Sequence, residues 1–202
     1  MSIQEEYAAD YTLMRHLLRL HADHDKKHDV EARGKLANLR YAMRDRLHAD
    51  YPVGRVFPAL HAGGLTDDPE RNEWRTLVAG LFGYAHDDVE DSRGVTLGTA
   101  LRALYERREN DSLERRFMAL LNADAEHLPG YLRQSISLLK AESIGLDWGM
   151  LLNHVCDWNA AGKPVQKKWI SDYYRSRRDT DAAPSSADST TEEDNLSDQP
   201  IA

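Results

Sequence analysis

Apolar residues in this chain recur at intervals of three and four, and alternating runs never last more than a few positions. That pattern predicts helices and no sheet. Residues 3–21 carry Ile3, Tyr7, Tyr11, Met14, Leu17, Leu18 and Leu20 at helical spacing, and a polar link, HADHDKKHD, is expected after them. From Val30 to about Tyr51, Leu36, Leu39, Met43 and Leu47 form a narrow stripe. On a wheel of 100° per residue Arg33, Arg40 and Arg44 fall together along one flank of it. Pro52, Gly54, Pro58, Gly63 and Gly64 predict an irregular stretch with one short helical turn around residues 56–60. Asp68-Pro69-Glu70 then has the order of a helix start: an N-cap, a proline in the first turn and an acid facing the dipole. That helix should reach about Ala85. After an acidic loop ending at Gly94, the spacing predicts helices over 96–108, 112–123, 127–142, 147–160 and 164–177. Ser112 and Asp147 are the expected N-caps, and Pro164 suits a first turn.

Within these helices the basic residues stand off the apolar stripe. Leu113, Phe117, Leu120 and Leu121 share one face, Arg115 points nearly opposite, and Arg116 lies at the boundary. Arg102 stands off the stripe of Leu97, Leu101 and Leu104. In the last helix Val165, Trp169 and Tyr173 share one side, while Lys167, Lys168, Ser171 and Arg175 share another, with Lys163 just ahead. Such residues can neutralise phosphates, although lysine and arginine also make up the solvated face of ordinary helices.

Charge changes this picture. The chain of 202 residues has a formal charge of −8, which argues at first against a nucleic-acid partner. Seven of its 34 acids, however, lie in residues 179–202: Asp179, Asp181, Asp188, Glu192, Glu193, Asp194 and Asp198, with no lysine or arginine among them. The remainder holds 26 basic against 27 acidic groups, so residues 1–178 are almost neutral. The tail, rich in Ser, Thr, Asp, Ala and Pro, buries too little to offset its ordering entropy and is expected to be disordered. It reads as a solubilising segment, or as an acidic competitor for a basic face. The acidic start, without an apolar run, predicts no secretory signal, and no stretch approaches a membrane span. The single cysteine, Cys156, excludes an internal disulfide and reads as core packing. A cytoplasmic location is expected.

Catalytic chemistry is sparse. No GxSxG, Walker A, HExxH or CxxC pattern occurs, nor an RNA-recognition aromatic motif or zinc-finger spacing. Two histidine–acid groups stand out: His21, His24, Asp25 and His28, and then His86, Asp87 and Asp88 followed by Glu90 and Asp91. All-α metal phosphohydrolases use His and an HD pair, which makes that the enzymatic alternative. Metal chemistry needs three or more ligands converging on one ion. Each group taken alone lies at a helix end or in a polar loop, so no metal site is assigned. His154 reads as a surface or interface histidine.

Eight segments in order carry a family resemblance: GKLANLR (34–40), VFPAL (56–60), DPERNEWRTLVAGLF (68–82), VTLGTAL (95–101), ERRFMALLNAD (114–124), YLRQSISLL (131–139), LDWGMLL (146–152) and KKWISDYY (167–174). Together they resemble CasB, the small subunit of the type I-E CRISPR surveillance complex Cascade, over roughly residues 33–178. The resemblance implies an all-α protein of two helical bundles that is not an enzyme. Its implied partners are the backbone and large subunits of Cascade, a second copy of itself, the CRISPR RNA and the target DNA. Its implied role is to hold the guide–target duplex and the displaced strand through their backbones, while base pairing reads sequence. Arg40 falls on the basic position of the first motif, which also contains Lys35. Arg115 and Arg116 fall on its arginine pair, Arg133 on the basic position of its helix, and Lys163, Lys167 and Lys168 on the C-terminal basic cluster. Arg71 and Arg75 also fall in a matching segment, but the gap near Pro69 can be placed in more than one way. Tyr41 and Gln134 stand where a second basic residue is common, and the acidic tail has no counterpart.

The expectation is thus an all-α fold of eight or nine helices packed as two small bundles. One domain, 1–178, carries sub-bundles 1–90 and 91–178, followed by a disordered acidic tail at 179–202. The candidate nucleic-acid-binding residues are Arg33, Lys35, Arg40, Arg44, Arg102, Arg115, Arg116, Arg133, Lys163, Lys167 and Lys168. No catalytic residue, metal, cofactor, membrane or small-molecule substrate is implied. The alternatives are an HD-type phosphohydrolase and a helical adaptor that binds only protein.

Overall fold

A computed structural model describes residues 3–44, 53–63, 67–108 and 110–175. The acidic tail and residues 45–52, with Leu47, lie outside these. Among the described residues there are nine α-helices and no strand: α1 Ile3–Lys27, α2 Val30–Arg44, α3 Val53–Ala62, α4 Pro69–Ala85, α5 Leu97–Arg108, α6 Asp111–Leu121, α7 Leu128–Ala141, α8 Trp148–Cys156 and α9 Pro164–Tyr174.

The segment expected to be a polar link is instead the last part of α1. It contains no helix breaker, Asp23 and Lys27 pair at 2.8 Å across one turn, and its terminal Lys26 and Lys27 face the negative end of the dipole. The chain turns only at His28, in the left-handed region with φ 53°. Asp29 then starts α2, its Oδ1 accepting from the Glu31 and Ala32 amides. The buried stripe of α1 is Leu13, Met14, Leu17 and Leu20, while Tyr11 is exposed. The expected irregular stretch likewise forms α3, with Pro58 inside it. Burial of Val56, Ala59 and Leu60 outweighs the lost backbone hydrogen bond. Asp68 caps α4 through the Arg71 amide, as expected. For α6 the cap is Asn110, whose side chain accepts from the Ser112 amide, so Ser112 is inside the helix rather than capping it. Asp147 caps α8.

The central element is α4, which packs against α2 most extensively and also against α1, α7 and α8. Helices α1 and α2 cover one side of it, and α3 packs on those two. On the other, α5 packs on α9, α6 and α7, and α6 on α7. Contacts of α8 with α1 and α4, and of α7 with α4, carry one hydrophobic core from Leu13 to Tyr173 across residue 90. Two small-residue contacts set the spacing. A Cβ on Gly83 would meet Leu39 Cβ at 2.7 Å, and one on Gly98 would meet the Trp169 carbonyl at 2.4 Å, so α4 approaches α2, and α5 approaches α9, at glycine distance.

Non-helical backbone is tied down between the segments 89–96 and 144–148. Ser92 N–H donates to the Leu146 carbonyl, Leu146 N–H to Glu90 and Asp147 N–H to Val95, at 3.0, 3.0 and 2.8 Å. Gly94 N–H reaches Asp147 Oδ2, Trp148 N–H reaches Asp91 Oδ1, and the Trp148 indole donates to the Val89 carbonyl.

Candidate nucleic-acid interface

The eleven candidate residues fall in three places. Arg33, Lys35 and Arg40 are on α2. Arg44 ends that helix, and its side chain lies outside the described residues. Arg133 is on α7, and the others lie on α5, α6 and at the start of α9.

Ion pairing divides them further. Lys35 meets Glu31 at 2.7 Å, Arg102 meets Glu106 at 2.9 Å, and Lys168 holds both oxygens of Asp172 at 2.9 Å. Arg40 donates through Nε to the Gly83 carbonyl at 2.8 Å and lies 3.7 Å from Asp87. The Lys35, Arg102 and Arg40 contacts are exposed or partly exposed, and such pairs contribute only about 0–1 kcal/mol, so a phosphate can compete for those cations. Asp172 is buried, so Lys168 is held more firmly. Arg33, Arg115, Arg116, Arg133, Lys163 and Lys167 are exposed and meet no acid at ion-pair distance among the described residues. Arg133 borders a cavity of about 520 Å³ that also carries Glu70, Glu73 and Glu126, which weakens its attraction for an anion.

The α5, α6 and α9 residues are drawn together by aromatic packing. Phe117 stacks on Tyr173 with ring centroids 4.3 Å apart, Tyr105 packs on Tyr173 at 6.3 Å, and Arg102 sits over the Tyr105 ring. Arg115 and Arg116 precede Phe117 on α6, whose packed face meets Tyr173 near the C-terminal end of α9, and their own side chains are exposed. Lys163 and Lys167 occupy the N-terminal end of α9, roughly 10 Å further along the helix at 1.5 Å per residue. Lys163 adopts φ 53°, which ends the preceding turn and leaves its side chain exposed.

Arg71 and Arg75 have another task. Asp10, buried in α1, accepts from Arg75 Nε at 2.5 Å and from Arg71 Nε and Nη2 at 3.1 and 2.5 Å. Arg75 is fully buried, so it holds α1 to α4 and is not available to a phosphate. His154 also departs from its expected surface role: it is partly buried and its Nδ1 accepts from the Trp169 indole at 3.0 Å. Burial lowers its pKa, with Lys168 adding to the effect. Burial raises the Cys156 thiol to about 12 although Arg71 and Arg75 pull the other way, which fits packing rather than reactivity.

The structure also joins what the sequence kept apart. With α1 extended to Lys27, His21 reaches the end of α4, and its ring lies 4.8 Å from that of His86. Donor atoms of His21, His86 and Asp87 lie within 4.8 Å of one another. Neither histidine–acid group alone signals this, because the contact depends on how α1 packs beside the end of α4.

Comparison with known proteins completes the description. The family model for the CRISPR-associated protein Cse2 matches residues 35–174. A protein described as CRISPR-associated protein Cse2 from Thermus thermophilus is 37% identical over 106 residues, 52% of this chain, and the chain spans only 58% of that relative's length. The crystal structure of CasB from Thermus thermophilus superposes with a TM-score of 0.63 at 28% identity, covering 80% of this chain and 97% of that one. A chain of a structure described as a CRISPR RNA-guided surveillance complex shares the fold, with a TM-score of 0.60 at 21% identity over 81% of this chain and 94% of that one.

Proposed function

Because the chain belongs to the Cse2 family of CRISPR-associated proteins, we propose that it is the non-catalytic small subunit of a type I-E Cascade complex and holds nucleic-acid backbone there. The observation that carries this reading is the set of exposed cations on α6 and α9, Arg115, Arg116, Lys163 and Lys167, without acid partners among the described residues. Phosphate binding by such groups is independent of sequence, which suits a complex whose specificity resides in guide–target pairing. The partners proposed with this reading are the backbone and large subunits, a second copy of this chain, the CRISPR RNA and the target DNA. The protein's part is to stabilise the R-loop by holding the paired and displaced strands. Four basic candidates already carry intramolecular contacts, so the α6 and α9 cations make the larger contribution.

The test is a salt titration of single-stranded DNA binding by the assembled complex, with the isolated chain alongside. Each lost phosphate contact should flatten the plot of log K against log salt by about 0.7. Arg115→Glu with Arg116→Glu, and separately Lys163→Glu with Lys167→Glu, should each weaken binding and reduce the slope. An unchanged slope and affinity in both double variants would leave only a protein-binding adaptor.

A further inference from the structure

We infer that His21, His86 and Asp87 form a binding site for a divalent transition metal ion, Zn²⁺ being the best match, that fastens the end of α1 to the end of α4. The inference is independent of the nucleic-acid reading. It concerns a helix whose His21 precedes the residues matched by the family model, 35–174.

Three observations converge. The first is the donor set itself: one ring nitrogen from each histidine and a carboxylate oxygen, all within 4.8 Å of one another. Ligands around a tetrahedral ion with bonds of 2.0–2.1 Å are roughly 3.4 Å apart. The remaining closure falls to side-chain rotation, chiefly of the exposed Asp87 carboxylate. The second is unmet hydrogen bonding. The buried Nδ1 atoms of His21, His24 and His86 have no hydrogen-bond partner among the described residues. His86 is only 5% exposed, and its Nδ1 stands 2.9 Å from Asp87 Oδ1 without the alignment of a hydrogen bond. Leaving such donors or acceptors unpaired is unfavourable, and a metal–nitrogen bond satisfies one of them. The third is space and orientation. A cavity of about 410 Å³ between α1, α2 and the end of α4 is bordered by His24, His86 and Asp87. Asp87 turns Oδ1 toward His86 and Oδ2 toward Arg40. It can therefore ligate through the first oxygen while keeping its contact with the guanidinium through the second.

The chemistry of the set selects the ion. Two imidazoles and one carboxylate suit Zn²⁺, Co²⁺ or Ni²⁺, whereas Mg²⁺ and Ca²⁺ prefer oxygen ligands. His24, one turn beyond His21 on α1, borders the same cavity.

The test uses the full chain, stripped with a chelator and titrated with Co²⁺ and then Zn²⁺. Visible absorption of bound Co²⁺ reports coordination, and thermal unfolding reports stabilisation. The expected result is one Co²⁺ equivalent with tetrahedral-type absorption, displaced by Zn²⁺, and a higher Tm with either ion. Asp87→Asn, at an exposed position, should keep the far-UV helix signal and weaken Zn²⁺ binding by about a hundredfold, as should His21→Gln. Absence of Co²⁺ absorption in the parent chain, or equal affinity in the parent and both folded variants, would overturn the assignment.

Discussion

At the residue scale the most consequential side chain is Asp10, an acid on the buried stripe of a helix otherwise lined with leucine and methionine. Its carboxylate takes hydrogen bonds from Arg71 and Arg75, and Arg75 has no exposure at all. Removing one partner of such a pair leaves an uncompensated buried charge. Asp10→Ala is therefore expected to lower stability by about 3–5 kcal/mol in urea unfolding, and a loss under about 1 kcal/mol would mean the pair behaves like an exposed one. The sequence did not disclose this role. Arginines in a matching helix look equally suited to phosphate and to an internal acid, and their partner lies more than sixty positions earlier. By contrast, the exposure of Arg115, Arg116 and Lys167 was legible, because Arg115 and Lys167 stand off clear apolar faces and Arg116 lies at the boundary of one. What they bind is a matter of surroundings, which spacing does not encode. The same limit hid the meeting of His21 with His86.

At the element scale the apolar period located α4 to α9 closely, since strong stripes and caps such as Asp68 and Asp147 mark where those helices begin. It failed where polarity and glycine or proline content were taken for irregularity. In α1 the last two turns are polar yet helical, because histidine rings pack as apolar bodies: His21 lies edge-on to Phe82. In α3 three buried apolar residues keep a proline-containing segment helical. The motif VTLGTAL has a mechanical basis here, for Gly98 lets α5 rest on the backbone of α9. Gly98→Ala is expected to push the two helices apart and destabilise the chain by about 1–3 kcal/mol, as overpacking does. Chemical denaturation would reveal it, and an unaltered midpoint would show that the helices separate freely.

At the scale of the whole molecule, charge and protonation set the conditions under which the fold is stable. Burial lowers the pKa of His154 and of His16 from 6.5. As pH falls below 6.5 the unfolded chain takes up protons that the native state refuses, so stability is full above that value and declines below it. Urea midpoints should thus fall between neutral pH and about pH 5, and His154→Gln, which keeps an acceptor for the Trp169 indole, should flatten the decline. An identical profile in that variant would remove His154 from the account. No described helix is long and apolar enough to cross a membrane. The near-neutral balance of residues 1–178 leaves the cations of α6 and α9 to act locally rather than through a strong overall field. The interlaced segments 89–96 and 144–148 bear on this. They fall where the chain passes from its first four helices to its last five, a place where many proteins have a hinge. Backbone bonding in both directions, with the Trp148 indole locked to Val89, makes this junction a weld. For the proposed function, a stiff junction would keep cations on either side of it at a fixed span before any strand arrived, so that a nucleic-acid backbone would be gripped with little entropy lost by the protein.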